Sequence, residues 1–316
     1  MKLLVTGGAG FIGSHVVDGL TSRGDTVVTL DSFDDAYDPA YKRLNCADSS
    51  ARVVMGDVCD PTTVRSALRG VDVVVHLAAR AGVRESLVDR ELYVRSNVTG
   101  TEVLLAEMVR SGVGRLVAAS SSSVYGARTQ GPFSESDPVE QQVSPYGVTK
   151  RETERLCETA ARKHEMAVTC LRFFTVYGPR QRPGMAIAKF VRLGLASKTI
   201  ELYGEGSSRD YTFVGDAVSA VLRSVDTPLA YEVINVGTGR QIALEALVDA
   251  VGVAIERPLQ AQRLPAQPGD VPLTWADAGK AARLLHWRAQ TPLAEGLRSY
   301  VNWLTRANII KLAEPR

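Results

Sequence analysis

Residues 1–31 constrain the fold most: an apolar strand, a glycine loop, an amphipathic helix and a second apolar strand follow one another without a break. LLVT at 3–6 reads as the first strand, FIGSHVVDGLTSRG as the helix and TVVTL at 26–30 as the second strand. The same alternation continues through RVVM at 52–55, DVVVHLA at 72–78 and RLVAAS at 115–120. TTVRSALRG and ELYVRSNVTGTEVLLAEMVRSG supply the intervening helices. Continuously apolar, β-branched strands separated by helices read as buried on both faces, which predicts an α/β chain built on a parallel, doubly wound sheet. A further helix is expected after Pro145 and a strand, AVTCLRFF, at 167–174.

Beyond about residue 178 the texture changes. Pro, Gly and Arg become denser in GPRQRPG, YGEGSSRD and QPGDVP, and the elements shorten. This predicts a first unit over 1–178 and a smaller, loop-rich lobe over 179–316, with some later strands and helices returning to the first unit. Such a lobe would close over the carboxyl ends of the strands, where sheets of this kind bind ligands.

Bulk properties exclude several classes. A formal charge of +2 on 316 residues gives no reason to expect a nucleic-acid or membrane partner, so any anion site must be local. The first ten residues run into glycines too early for a secretory signal, and no stretch approaches the length of a membrane span. Cys46, Cys59, Cys157 and Cys170 form no C-x-x-C pair and have no neighbouring His at ligand spacing, so no metal site is expected. They read as thiols of a reducing, cytoplasmic compartment.

The glycine loop TGGAGFIG carries the first chemistry. Gly7 suits a tight turn, Gly10 lets the backbone approach a pyrophosphate, and Gly13 allows close helix–strand packing. The helix N-terminus then faces the phosphates. Asp31 lies eighteen residues beyond Gly13 at a strand end, where a carboxylate would accept hydrogen bonds from ribose hydroxyls and repel a 2′-phosphate. NAD is therefore expected rather than NADP. Asp57, in MGDV, is compatible either with a contact to the adenine amino group or with a plain turn.

Tyr146 and Lys150, in YGVTK, stand one helical turn apart and project on one face. A tyrosine with an ordinary pKa near 10 is a poor base at neutral pH; a nearby ammonium, helped by oxidised nicotinamide, favours the phenolate. The serine run Ser120, Ser121, Ser122 and Ser123 closes the preceding strand, and a hydroxyl there could share a proton with a substrate oxygen and Tyr146.

The glycine loop, Asp31, HLAA at 76–79, Asn97, the serine run, YxxxK and RFFTVYGP, taken in order, resemble the extended short-chain dehydrogenase superfamily of nucleotide-sugar epimerases and dehydratases. The resemblance covers nearly the whole chain. It implies a Rossmann domain in which Gly7, Gly10, Phe11, Ile12, Gly13, Asp31, Asp57, Val58, Leu77, Ala78, Ala79 and Lys150 bind NAD, tightly held and regenerated each turnover. It makes Ser121, four residues before the tyrosine of VYG, catalytic beside Tyr146 and Lys150, and implies that the smaller lobe binds UDP, with Arg209 on the pyrophosphate. Asn97 reads as structural support. The helices around 91–111 and 146–163 resemble the pair that forms a homodimer interface in this superfamily.

Dehydratases of the superfamily carry an acidic pair directly after the catalytic hydroxyl residue; Ser122 and Ser123 stand there, so elimination lacks its carboxyl groups. FDDAYDPAYKR at 33–43, RAGVRESL at 80–87 and RFFTVYGPRQRPGMA at 172–186 are similar to segments of UDP-glucuronate 4-epimerases. Thr175 replaces the Asn usual in UDP-glucose epimerases, and Gln267 stands where those enzymes often have an Arg. Gly184 departs from the Asp common at its position. The expected reaction is C4 epimerisation of a UDP-hexuronate, with a neutral UDP-hexose 4-epimerase and a UDP-glucuronate decarboxylase as rivals. Ser122, Ser123 and Thr175 are expected to hold the sugar carboxylate, with Arg84, Arg182 and Asp270 as further substrate contacts; Arg84 also fits a solvated loop.

Overall fold

The computed structural model describes residues 1–306. The strands are β1 (Lys2–Thr6), β2 (Thr26–Asp31), β3 (Arg52–Met55), β4 (Val73–His76), β5 (Arg115–Ser121), β6 (Ala167–Phe173), β7 (Thr175–Tyr177), β8 (Ile200–Tyr203), β9 (Ser208–Arg209), β10 (Tyr211–Phe213), β11 (Tyr231–Val236), β12 (Ile242–Ala243) and β13 (Ala261–Leu264). The helices are α1 (Phe11–Ser22), α2 (Pro39–Cys46), α3 (Pro61–Ala67), α4 (Val83–Val88), α5 (Arg90–Tyr93), α6 (Gly100–Arg110), α7 (Pro145–His164), α8 (Ala186–Leu195), α9 (Val214–Asp226), α10 (Leu244–Ala254), α11 (Gly279–Leu284) and α12 (Leu293–Arg306).

Seven parallel strands in the order β11-β6-β5-β4-β1-β2-β3 form the central sheet, as the alternating pattern predicts. Successive side chains of a strand point to opposite faces, so β1 feeds two cores. Leu3 and Val5 pack with Val16, Val17 and Leu20 of α1 and Val214, Ala217 and Val221 of α9. Leu4 packs on the other face with Val64 of α3, Leu104 and Met108 of α6, and Cys157 and Ala161 of α7. Each such fully buried aliphatic side chain contributes about 1.5–3 kcal/mol. The chain order reverses at β1, between β4 and β2, which opens a crevice at the carboxyl ends of the strands.

The sheet takes β11 from beyond residue 178, with α9 packed on its face and α11 beside β11. A third core joins Ile187, Val191, Ile200, Leu247, Val251, Leu297 and Tyr300, with Tyr41 and Tyr177 from the earlier part of the chain.

Two local expectations are corrected. β3 is not buried on both faces: it is the sheet edge, and Val53 and Met55 are exposed. The helix expected across 91–112 is interrupted: α5 runs into a π-helical turn, Val94–Thr99, before α6 begins. The wide turn carries Asn97 into the interior, where its carboxamide is bonded on both sides, and inserted turns of this kind recur at functional sites. Among the described residues no helix is long and apolar enough to cross a membrane, and no three His, Cys, Asp or Glu side chains gather as for a metal.

Candidate active site

The glycine loop is built for close approach. Gly7 sits at φ +70°, and a Cβ there would lie 2.6 Å from the Ala78 nitrogen; a Cβ on Gly13 would lie 2.1 Å from the Gly7 oxygen. β1, the loop and the β4 exit therefore interlock through backbone alone. Around Gly10 the crowding stops, with only the Gly7 oxygen at 3.1 Å from its Cβ position, so the start of α1 stays open to a pyrophosphate. Phe11 and Gly13 are buried within α1 and Ile12 is half-buried beside them.

Asp31 ends β2, 5% exposed, and its carboxylate accepts from Ala9 N at 3.1 Å and Phe33 N at 2.9 Å. Lys42 of α2 lies 3.4 Å from it and 2.9 Å from Asp34. Burial works to raise the Asp34 pKa, but the bond and charge of Lys42 outweigh it and hold the carboxyl low. Leu77, Ala78 and Ala79 follow β4 half-buried, with Leu77 N on the Thr6 carbonyl and Ala78 N on the Thr6 hydroxyl. This cradle and its anchored acid fit a dinucleotide. Asp57 accepts from Cys59 N at 2.9 Å and pairs with Arg95, so it makes a turn near buried Val58.

α7 starts with its donors accounted for, because Pro145 has none at the first position and Ser144 accepts from Gly147 N at 3.1 Å. It carries Tyr146 and Lys150 towards the end of β5. Lys150 is buried and donates to the Ala119 carbonyl at 2.9 Å; burial pulls its pKa down to about 8. Tyr146 remains partly open, but the protein packed around its hydroxyl raises its pKa, against a hydrogen bond with Ser121 and the charge of Arg182. His76 bridges the Thr6 and Thr101 hydroxyls at 2.7 and 3.1 Å, and burial, helped by Lys150, lowers its pKa to about 3. The floor therefore holds one cation. Asn97 accepts from Arg80 N at 2.7 Å and donates to Thr149 at 2.9 Å, tying the β4 exit to α7.

Strand alternation divides the serine run. Ser120 turns behind the sheet and donates to Glu154 at 2.6 Å, while Glu154 also receives two bonds from buried Arg172 at 2.8 and 2.9 Å. Ser121 turns to the cleft beside Tyr146, whose pKa it works to lower; it donates to the Ser123 hydroxyl at 3.2 Å and accepts from Ser123 N at 3.1 Å. Ser122 and Ser123 begin a 3-10 turn and are half-buried. Ser121 is level with Phe173, and Thr175, two residues later, starts β7 beyond the same end of the sheet.

The expected substrate residues fall into two groups. Arg182 donates to the Ala81 carbonyl at 2.7 Å and sits in the electrostatic neighbourhood of Tyr146. Arg84 instead pairs with Asp270 at 2.9 Å, so the two meet each other across the cleft mouth, and its guanidinium lies over the Tyr203 ring. Arg209 donates to the Ser208 carbonyl at 2.8 Å close to this pair. Lys42 and Ser86 were given no role by the sequence. Lys42 lies inside FDDAYDPAYKR, but only the return of α2 onto β2 reveals its partner. Ser86 accepts from Tyr146 N at 3.1 Å, a contact across sixty residues with no spacing signal.

A glycine cradle, an anchored acid and a Tyr–Lys helix facing a hydroxyl run define a nicotinamide-dependent enzyme of the short-chain dehydrogenase type. The model for the NAD dependent epimerase/dehydratase family matches residues 3–237, and the chain belongs to that family. It is 38% identical to the UDP-glucuronate 4-epimerase of Thermodesulfobacterium geofontis over 95% of each chain. The UDP-glucuronic acid 4-epimerase of Bacillus cereus, solved with UDP-glucuronic acid and NAD, superposes with a TM-score of 0.92 at 33% identity, covering 97% of this chain and 100% of that one. MoeE5, solved with UDP-glucuronic acid and NAD, is 38% identical with a TM-score of 0.88 over 97% of this chain and 100% of its own; MoeE5 has also been solved with UDP-glucose and NAD.

Proposed function

We propose that this enzyme epimerises C4 of UDP-glucuronate to give UDP-galacturonate through a 4-keto sugar. Bound NAD supplies the reversible oxidation at C4. Gly7, Gly10 and Gly13 with Asp31 would hold it, and Lys150 would meet its ribose while stabilising the Tyr146 phenolate. Tyr146 accepts the O4 proton, with Ser121 bridging, and returns it after the keto sugar has turned over within the cleft. Arg209 and Arg182 hold the diphosphate and sugar, with Asp270 and Arg84 at the cleft mouth.

The observation that carries this reading is the hydroxyl-only edge around Ser121. Ser122 and Ser123 offer no carboxyl group for elimination, and with Thr175 they form a set of short, neutral donors. Oxidising C4 of a glucuronate makes a β-keto acid, which loses CO2 when the carboxylate bond aligns with the carbonyl π system. Hydroxyls anchor a carboxylate out of that alignment with few rotamers to freeze. Ser122→Ala and Thr175→Val are therefore expected to release more CO2 and UDP-pentose per turnover, measured by trapping CO2 and resolving the sugar nucleotides. Product ratios unchanged in both variants contradict this role. UDP-glucose as a substrate is the second reading, supported by the binding of that sugar nucleotide to MoeE5.

We also propose a homodimer in the cytoplasm. Val94, Val143 and Val148 are exposed and line one hollow of about 290 Å³, with Leu87 and Val88 exposed on nearby α4. Apolar groups gathered on one face mark an association surface. The double variant Val94→Glu, Val148→Glu should sediment as a monomer where the parent sediments as a dimer; a monomeric parent refutes the proposal. Four free cysteines, two of them buried, suit a reducing compartment.

A further inference from the structure

The first backbone N–H of α7 belongs to Tyr146, since Pro145 has none, and no residue of its own helix can satisfy it. Ser144 serves the next two positions, its hydroxyl accepting from Gly147 N and its carbonyl from Val148 N, both at 3.1 Å. The remaining donor, at the proposed base itself, is met from outside by the Ser86 hydroxyl at 3.1 Å. Ser86 is 0% exposed, and its own proton goes to the Val83 carbonyl at 2.6 Å. Its rotamer is thereby fixed, with a lone pair aimed at Tyr146 N.

Ser86 lies on α4, which also bears on the substrate lobe. Arg84, two residues earlier, pairs with Asp270 and covers Tyr203. A Cβ on Gly269 would lie 2.8 Å from Val83 and 3.5 Å from Leu87, so the loop before Asp270 rests directly on α4. One short helix thus touches the backbone of Tyr146 on one side and the lobe on the other. Tyr93 adds a side-chain wall, its ring edge-on to that of Tyr146 at 6.2 Å.

We propose that Ser86 is a positioning residue for the epimerisation, fixing the Tyr146 backbone so that its hydroxyl stays in register with Ser121. The inference rests on the reading of Tyr146 as the base. Removing the Ser86 hydroxyl strands a half-buried N–H at the base and lets the helix start shift, while leaving every group that binds the sugar nucleotide in place.

The test compares the parent, Ser86→Ala and Tyr146→Phe, measuring kcat, KM and the pH profile of kcat together with the melting temperature. For Ser86→Ala, kcat should fall about tenfold with KM nearly unchanged, and the rising limb of the profile should move to higher pH as the Tyr146 hydroxyl drifts from Ser121. An unmoved limb, whether activity is kept or falls only in step with the folded fraction, overturns the proposal and leaves Ser86 structural. An active Tyr146→Phe variant would instead overturn the underlying reading of the base, so the two failures are distinguishable.

Discussion

Tyr146→Phe should abolish nearly all turnover while leaving the fold intact. The substitution removes one hydroxyl beside Ser121, and the ring keeps its packing against Tyr93. Loss of a positioned base typically costs about 10²–10⁴-fold in rate. Steady-state kinetics on protein with a parent-like melting curve checks this, and activity within a few-fold of the parent contradicts it. The pH dependence follows from the same group. A base works deprotonated, so kcat should rise with pH through the Tyr146 pKa. Burial raises that pKa in the protein alone, against the Ser121 hydroxyl and the charge of Arg182; on the proposed mechanism Lys150 and bound NAD bring it down further. Lys150→Met should accordingly shift the rising limb to higher pH.

Glu154→Leu should be the most damaging substitution for stability. Glu154 and Arg172 are 0% and 2% exposed and share two hydrogen bonds, and Glu154 also accepts from Ser120 and Arg151. Arg172 also lies 4.8 Å from the Tyr125 ring centre, and the Tyr125 hydroxyl reaches Asn235 on β11 at 2.7 Å. Deleting one member of a buried pair leaves the other charge uncompensated, at a cost of about 3–5 kcal/mol. In a chain of this size that corresponds to a melting temperature lower by on the order of 10 °C. Differential scanning calorimetry reads it directly, and a shift of less than about 2 °C would mean that the pair contributes little. The network lies behind Ser121, so residual activity should fall with it.

The sequence makes most of the sheet legible because its signals are local. Strands buried on both faces read as unbroken apolar runs, and the Gly7–Gly13 turn and the Tyr146–Lys150 spacing are properties of contiguous residues. Edge position is not local. RVVM is as apolar as the inner strands, and nothing within it tells that β2 covers one side and solvent the other. The π turn at Val94–Thr99 is likewise invisible, since the partners of its Asn97, Arg80 and Thr149, lie outside the segment. The serine run shows both limits. Four hydroxyls in a row look equivalent, and only strand alternation separates Ser120, bound to Glu154, from Ser121, facing Tyr146. Arg84 and Asp270 each read as a substrate contact on its own, and only the fold shows that they pair across 186 residues. Ser86 had no signal, because its partner is a backbone N–H that every residue but proline carries.

The central claim is the choice of sugar. Purified protein incubated separately with UDP-glucuronate, UDP-glucose and UDP-N-acetylglucosamine, without added NAD, should convert the first alone to its C4 epimer, resolved by NMR. That result would support both the role of the Ser122, Ser123 and Thr175 hydroxyls and a cofactor retained through purification. Turnover of only the neutral sugars would contradict the account and move the function to a hexose epimerase.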